Sequence, residues 1–262
     1  MPATPTSDTP THDTATADTP TRAPHHHTTS SAPTPAAGHS IDHTGRWIQR
    51  VAQAGMIAPA AFFAVMTLLG LITPGYNSLA RYGSELSLGP LGWIMITNFT
   101  ALGVAELALA FALSRTITDR VSGWVATAAV ALIGTAFVAA GVFVTDPAHL
   151  VSGAQSVHGM VHALMAVVIF FIATPIAGLA MTRRYRHQRG FAGYCALTAV
   201  GTPALLVATF LSGDLVGLTE RIVIAFVLVW LTVLAHRLYR DSFRRHQPTE
   251  PKSGVPARAV DR

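Results

Sequence analysis

The sequence predicts an all-α protein, an integral membrane bundle of six transmembrane helices with disordered N- and C-terminal tails. Three observations carry that prediction: six apolar stretches of bilayer-spanning length, a shortage of charge, and arginines confined to alternate connections. Only 12% of the 262 residues are charged and 50% are hydrophobic, with a mean hydropathy of +0.42. The surface of a water-soluble domain needs about 25% charged residues, so much of this chain's surface faces something other than water.

The apolar stretches run from Val51 to Ile72, Leu91 to Leu113, Ser122 to Thr145, His158 to Met181, Phe191 to Leu211 and Leu218 to Ala235. Each is close to the ~20 residues that cross a hydrocarbon core of about 30 Å at 1.5 Å per residue. They are apolar around the whole helical circumference, as lipid or a bundle interior requires, and lack the period-two alternation of a barrel strand. Glu220 and Arg221 are expected at the rim of the sixth span. Pro59, Pro175 and Pro203 fall inside spans, where each removes a backbone hydrogen bond and is predicted to kink its helix. Small residues such as Ala140, Gly141, Ala173 and Ala177 allow neighbouring helices to approach closely.

Residues 1–45 are rich in Pro, Thr, Ala, Ser and Asp and nearly devoid of aliphatic or aromatic side chains. Such a segment buries too little apolar area to offset its ordering entropy, which predicts a disordered tail. It lacks a basic start followed by an apolar core, so it is not read as a signal peptide, and His25-His26-His27 is read as a solvated part of it. A second polar tail spans 241–262, leaving 46–240 as one membrane domain. The pI near 10 and formal charge of +5 come almost wholly from arginine, Lys252 being the single lysine. Arg46, Arg50, Arg115, Arg120, Arg183, Arg184, Arg186, Arg189, Arg237, Arg240, Arg244 and Arg245 flank the spans on one side, and only Arg81 and Arg221 lie on the other. That is the positive-inside pattern and predicts cytoplasmic N and C termini. Nucleic acid is not an expected partner, because the charge forms no continuous basic face; the expected partner is the lipid bilayer. Cys195 is the sole cysteine, which excludes an intrachain disulfide and a Cys-based zinc cluster.

The acids and histidines of the membrane domain gather at the end away from the arginines. The first connection there carries Ser84 and Glu85, the second carries Asp146 and His149 and leads into His158 and His162, and the third contributes Asp214, Glu220 and Arg221. His158 and His162 stand four apart, a spacing that puts both imidazoles on one helix face. With Asp146, and Ser84 or Glu85 nearby, they form a candidate polar cluster. Two histidines and a carboxylate suit zinc with a position left open for water; the alternative is a hydrogen-bonded group that ties the third and fourth helices together. Glu106 is a carboxylate within the second span. An ionisable group there is costly and marks either function, such as proton carriage, or a hydrogen-bonded lock with Asn98, Thr198 or Thr202. No Gly-rich phosphate loop or nucleophile elbow occurs.

Ser84-Glu85-Leu86-Ser87 followed by Gly92-Trp93, then Gly141-Val142-Phe143-Val144-Thr145-Asp146-Pro147 closing the third span, with a histidine opening the fourth, resembles the bacterial multi-pass membrane family numbered 998 in the domain-of-unknown-function series. The likeness covers roughly residues 50–240 and departs from the family at Val144, where many members have Pro. It implies six spans and a plasma-membrane location, with no activity to carry over. A looser similarity to membrane hydrolases of the ceramidase type, which combine a Ser, an Asp and three His, lacks the third His. Three classes of function therefore stand: a non-enzymatic membrane component, a metal-dependent hydrolase of lipid or envelope substrates with His158, His162 and Asp146 as ligands, and a proton-coupled carrier using Glu106.

Overall fold

The computed structural model describes residues 40–147 and 155–245. The expectations for His25-His26-His27, His149 and most of both tails lie outside those residues. Among the described residues six helices are long and apolar enough to cross a membrane: Gly45–Ile72, Gly92–Ser114, Val121–Val142, Val157–Arg184, Arg189–Leu211 and Gly213–Ser242. The underlying elements are α1 (Ser40–Ile72), α2 (Gly92–Ser114), α3 (Val121–Val142), α4 (Val157–Val167), α5 (Thr174–Arg184), α6 (Arg189–Leu211) and α7 (Val216–Arg245). Two short 3-10 helices, Gly83–Ser87 and Gly213–Leu215, lie in connections at the arginine-poor end.

Several helix ends differ from the sequence expectation for physical reasons. The third span stops at Val142 instead of Thr145, so Phe143 to Pro147 is extended chain at the helix exit. The sixth continues beyond Ala235 because inward-facing Leu238 and Ser242 stay buried while polar residues between them face out. At its other end α7 begins at Val216, so Glu220 and Arg221 lie in its second turn, near the start of the span. The fourth span is α4 and α5 joined by a π-helical segment, Val168–Ala173. Pro175 begins the following turn, and its missing N–H and ring displace the α ladder just ahead of it. Pro59 and Pro203, by contrast, sit inside continuous α-helix.

Each span packs on its neighbours in sequence, and α7 closes on α1, so the six form a ring around one apolar core. Phe62, Met66, Met95, Leu102, Leu109, Ile133 and Trp230 are fully buried there, and Phe62 meets Phe99 and Phe137 edge-on. The tightest seam joins α2 and α3. A Cβ on Gly103 would stand 2.6 Å from the Gly134 carbonyl oxygen, and one on Gly134 would stand 2.8 Å from that of Gly103. Only glycine permits backbones this close, which is how helices gain dispersion contact where no hydrophobic effect drives them together. Exposed Trp47 and Trp124 at the arginine-rich end and Trp93 at the other match the aromatic belts of a bilayer interface.

The ring is open at one place. α4 packs chiefly on α3, whereas the π segment and α5 also pack on α6. The halves of the fourth and fifth spans nearest the arginine-poor end therefore diverge.

The seam makes a direct prediction. Gly103→Val should lower the melting temperature of the purified protein by several degrees, through about 1–3 kcal/mol of overpacking, while Gly190→Ala, where an added Cβ meets nothing within 4 Å, should leave it unchanged.

Candidate functional site

At the arginine-poor end the chain has the problem of any helix terminus in a bilayer: the last carbonyls and first N–H groups have no partner within their own helix. α3 and α4 solve it reciprocally. The Asp146 carboxylate, just past α3, accepts from the Ser156 backbone N–H at 2.8 Å and its hydroxyl at 2.7 Å. Ser156 in turn caps α4 by accepting from the Gly159 N–H at 3.0 Å. Gly159 leaves the room this needs, since a Cβ there would overlap the Asp146 carboxylate. In the other direction, His162 Nδ1 lies 3.0 Å from the Ala140 carbonyl oxygen and 2.9 Å from that of Phe143. Carbonyls only accept, so Nδ1 carries the proton, and in the neutral ring Nε2 keeps its lone pair.

A second network fixes the first connection at this end. Arg221 Nη1 donates to the carbonyls of Gly217 at 2.7 Å and Ser78 at 2.8 Å, and Nη2 donates to the Tyr76 hydroxyl at 2.7 Å. The Tyr76 hydroxyl donates to the Tyr82 carbonyl at 2.8 Å. Glu220 accepts from the Gly83 N–H. Glu85 is buried in an ion pair with Arg81 at 2.8 Å and also accepts from the Tyr82 N–H at 3.2 Å. Burial pushes the phenols of Tyr76 and Tyr82 above their ordinary range, so both remain neutral hydroxyls.

Between these two networks lies a cavity of about 260 Å³. Its polar part is lined by Tyr82, Ser84, Asp146, His162, Thr209 and Glu220, and its apolar part by Ala166, Val167, Phe170, Leu206, Phe210 and Val223. Val167 and Phe210 are also exposed on the surface of the bundle, Phe210 at 65%. They mark the opening where the fourth and fifth spans diverge.

The residues singled out in the sequence divide accordingly. Ser84, Asp146 and His162 line this one cavity; Glu85 does not, and borders a separate depression with Arg81 and Tyr76. His158 is exposed against the Phe143 ring and lines neither. Four helical residues advance about 400°, leaving a divergence of roughly 40°, and His158 already stands beyond the end of α3. The expected zinc set of His158, His162 and Asp146 is therefore not assembled, and among the described residues no three His, Cys, Asp or Glu side chains are grouped to hold a metal ion. Glu106 is fully buried within the bundle, away from lipid, and lines neither depression. The expected lock is absent: both its oxygens lack a protein partner, while Asn98 donates to the Phe62 carbonyl, Thr198 to that of Tyr194 and Thr202 to that of Thr198. Thr209 is a cavity residue that sequence reasoning did not select, and Glu220, placed by the sequence among the polar residues of this end, is not in its candidate cluster.

His162→Ala removes the donor shared by two α3 carbonyls and should cost about 1–3 kcal/mol, read as a lower melting temperature. His158→Ala should change it by less than about 0.5 kcal/mol. Equal losses would contradict the capping role of His162.

No curated protein and no solved structure matches the chain. The family model described as "Protein of unknown function (DUF998)" matches residues 56–237, a segment that contains every residue of the cavity, and the chain belongs to that family.

Proposed function

We propose that the protein is a plasma-membrane component that holds an amphipathic molecule, taken sideways from the outer leaflet, in the cavity between its fourth, fifth and sixth spans. The observation that supports this is the two-part lining: hydroxyl, carboxyl and imidazole groups toward the arginine-poor end, with Ala166, Val167, Phe170 and Leu206 deeper along their helices. A small hydrophilic solute has no use for the apolar half, whereas a headgroup and the start of its tail fit both. The volume equals that of roughly nine water molecules, so the rest of a tail leaves through the gap beside Val167 and Phe210. In this reading the arginine-poor end faces outward and both termini face the cytoplasm, with 46–240 as the membrane domain and 1–45 and 241–262 as tails.

One observation favours a second reading, hydrolysis of the bound molecule. His162 is oriented by two carbonyls through Nδ1, its Nε2 has no partner among the described residues, and the Ser84 hydroxyl borders the same cavity. An oriented base and a hydroxyl bordering one cavity are the groups that nucleophilic attack requires. His162→Gln should then reduce turnover of an ester-bearing amphiphile by about 10²-fold or more, with binding retained.

Ala166→Phe fills the apolar part of the cavity. Native mass spectrometry of the wild-type protein should show one retained amphiphile per chain and none on the variant; equal retention by both would overturn the binding reading. Reporter fusions at residues 45 and 245 should both read cytoplasmic, and an external reading of either would reverse the orientation.

A further inference from the structure

We infer that the cavity selects a cationic amphiphile, with an ammonium headgroup seated between Asp146, Glu220 and His162 and its tail in the gap between the fourth and fifth spans. The inference deepens the binding reading above and rests on it.

Charge is the first support. Among the described residues the cavity wall contains two carboxyl groups, Asp146 and Glu220, and no Arg or Lys. The two guanidiniums at this end are directed elsewhere. Arg81 is paired with Glu85, and Arg221, although adjacent to Glu220, points its donors at Ser78, Gly217 and Tyr76. Among the described residues the wall thus carries two carboxyl groups and no guanidinium or ammonium turned toward it, which disfavours a phosphate, sulfate or carboxylate headgroup by like-charge repulsion.

Hydrogen-bonding capacity is the second support. A carboxylate offers about four acceptor positions. Asp146 uses two on Ser156 and Glu220 uses one on the Gly83 N–H. His162 is only 8% exposed, and with Nδ1 committed to the α3 carbonyls its Nε2 is an unpartnered acceptor bordering the cavity. Three side chains with spare acceptors border one space, and an alkylammonium carries three donors and no acceptor. A hydroxyl headgroup supplies one donor and leaves the other acceptors unmet, which costs affinity where water is scarce. The tail is required by the apolar half of the wall, so a free amine without a chain fills only part of the site.

The test uses the purified full-length protein in maltoside micelles and probes sharing a twelve-carbon chain. Saturable binding of tritiated dodecylammonium is measured by scintillation proximity and competed with unlabelled dodecylammonium, dodecanol and dodecanoate. The expected result is one site per chain, with dodecylammonium competing at least tenfold better than dodecanol and dodecanoate weakest of all. Glu220→Gln keeps an oxygen for the Gly83 N–H while removing the charge. It should lower dodecylammonium affinity at least tenfold and leave that of dodecanol unchanged. Ala166→Phe should abolish binding of all three, which separates the cavity from partition into the micelle. Equal competition by the three probes, or a preference for dodecanoate, overturns cation selection and leaves the amphiphile site standing. Absence of saturable binding by any of them overturns both.

Discussion

The arginine-poor end of this bundle depends on one guanidinium. Arg221 donates to the Gly217 carbonyl of its own helix and reaches out of α7 to carbonyls at Ser78 and Arg81 and to the hydroxyl of Tyr76. Carbonyl groups at the edge of a bilayer have little water to solvate them, and an irregular segment is tolerated there only when protein supplies its partners. With those donors in place the connection after α1 is a fixed roof, and Tyr82 and Ser84 are held over the cavity. Glu220, one residue earlier, completes the attachment through the Gly83 N–H and borders the same space. A single turn of α7 thus both builds the roof and contributes to what lies beneath it.

The opposite wall follows the same logic with different chemistry. α3 ends early, three residues short of Thr145, so the orphan groups of α3 and α4 must be met across the connection. Asp146 serves the start of α4 through Ser156, and His162 serves the end of α3. Both roles are structural, yet they leave a carboxylate and an imidazole nitrogen bordering the cavity. The opening arises because the arginine-poor part of the fourth span leans on α3 while the π segment ahead of Pro175 carries the rest toward α6. Packing against one neighbour before the π segment and two after it produces a wedge, and the apolar half of the cavity occupies that wedge.

Much of this is readable from the residues alone. Six spans follow from hydropathy, because a bilayer admits little else of that length and composition. That Ser84, Asp146 and His162 share one end follows from short connections between antiparallel helices. The two segments that carry the family likeness, Ser84 to Ser87 and Gly141 to Pro147, contribute Ser84, Thr145 and Asp146 to the cavity wall. Other features are not readable because they depend on distant partners. Helical spacing places His158 with His162 but cannot show that α3 ends between them. That the first connection, some 140 residues earlier, folds onto Glu220 and Arg221 is likewise invisible in their helical spacing. Glu106 reads correctly as interior, but the side chains expected to lock it satisfy carbonyls of their own or of a neighbouring helix, a preference of Thr that back-bonding within a helix always offers.

The central claim is that the gap between the fourth and fifth spans admits a bilayer-borne chain. The most direct measurement is photolabelling in vesicles with a phospholipid whose diazirine sits in the acyl tail, followed by peptide mapping of the adducts. The account predicts labelling of Ala166, Phe170 and Leu206, which border the cavity behind the exposed surface, and loss of that labelling in Ala166→Phe. Adducts confined to outward-facing residues such as Val104, Leu132 and Val229, with none in the gap, would contradict it.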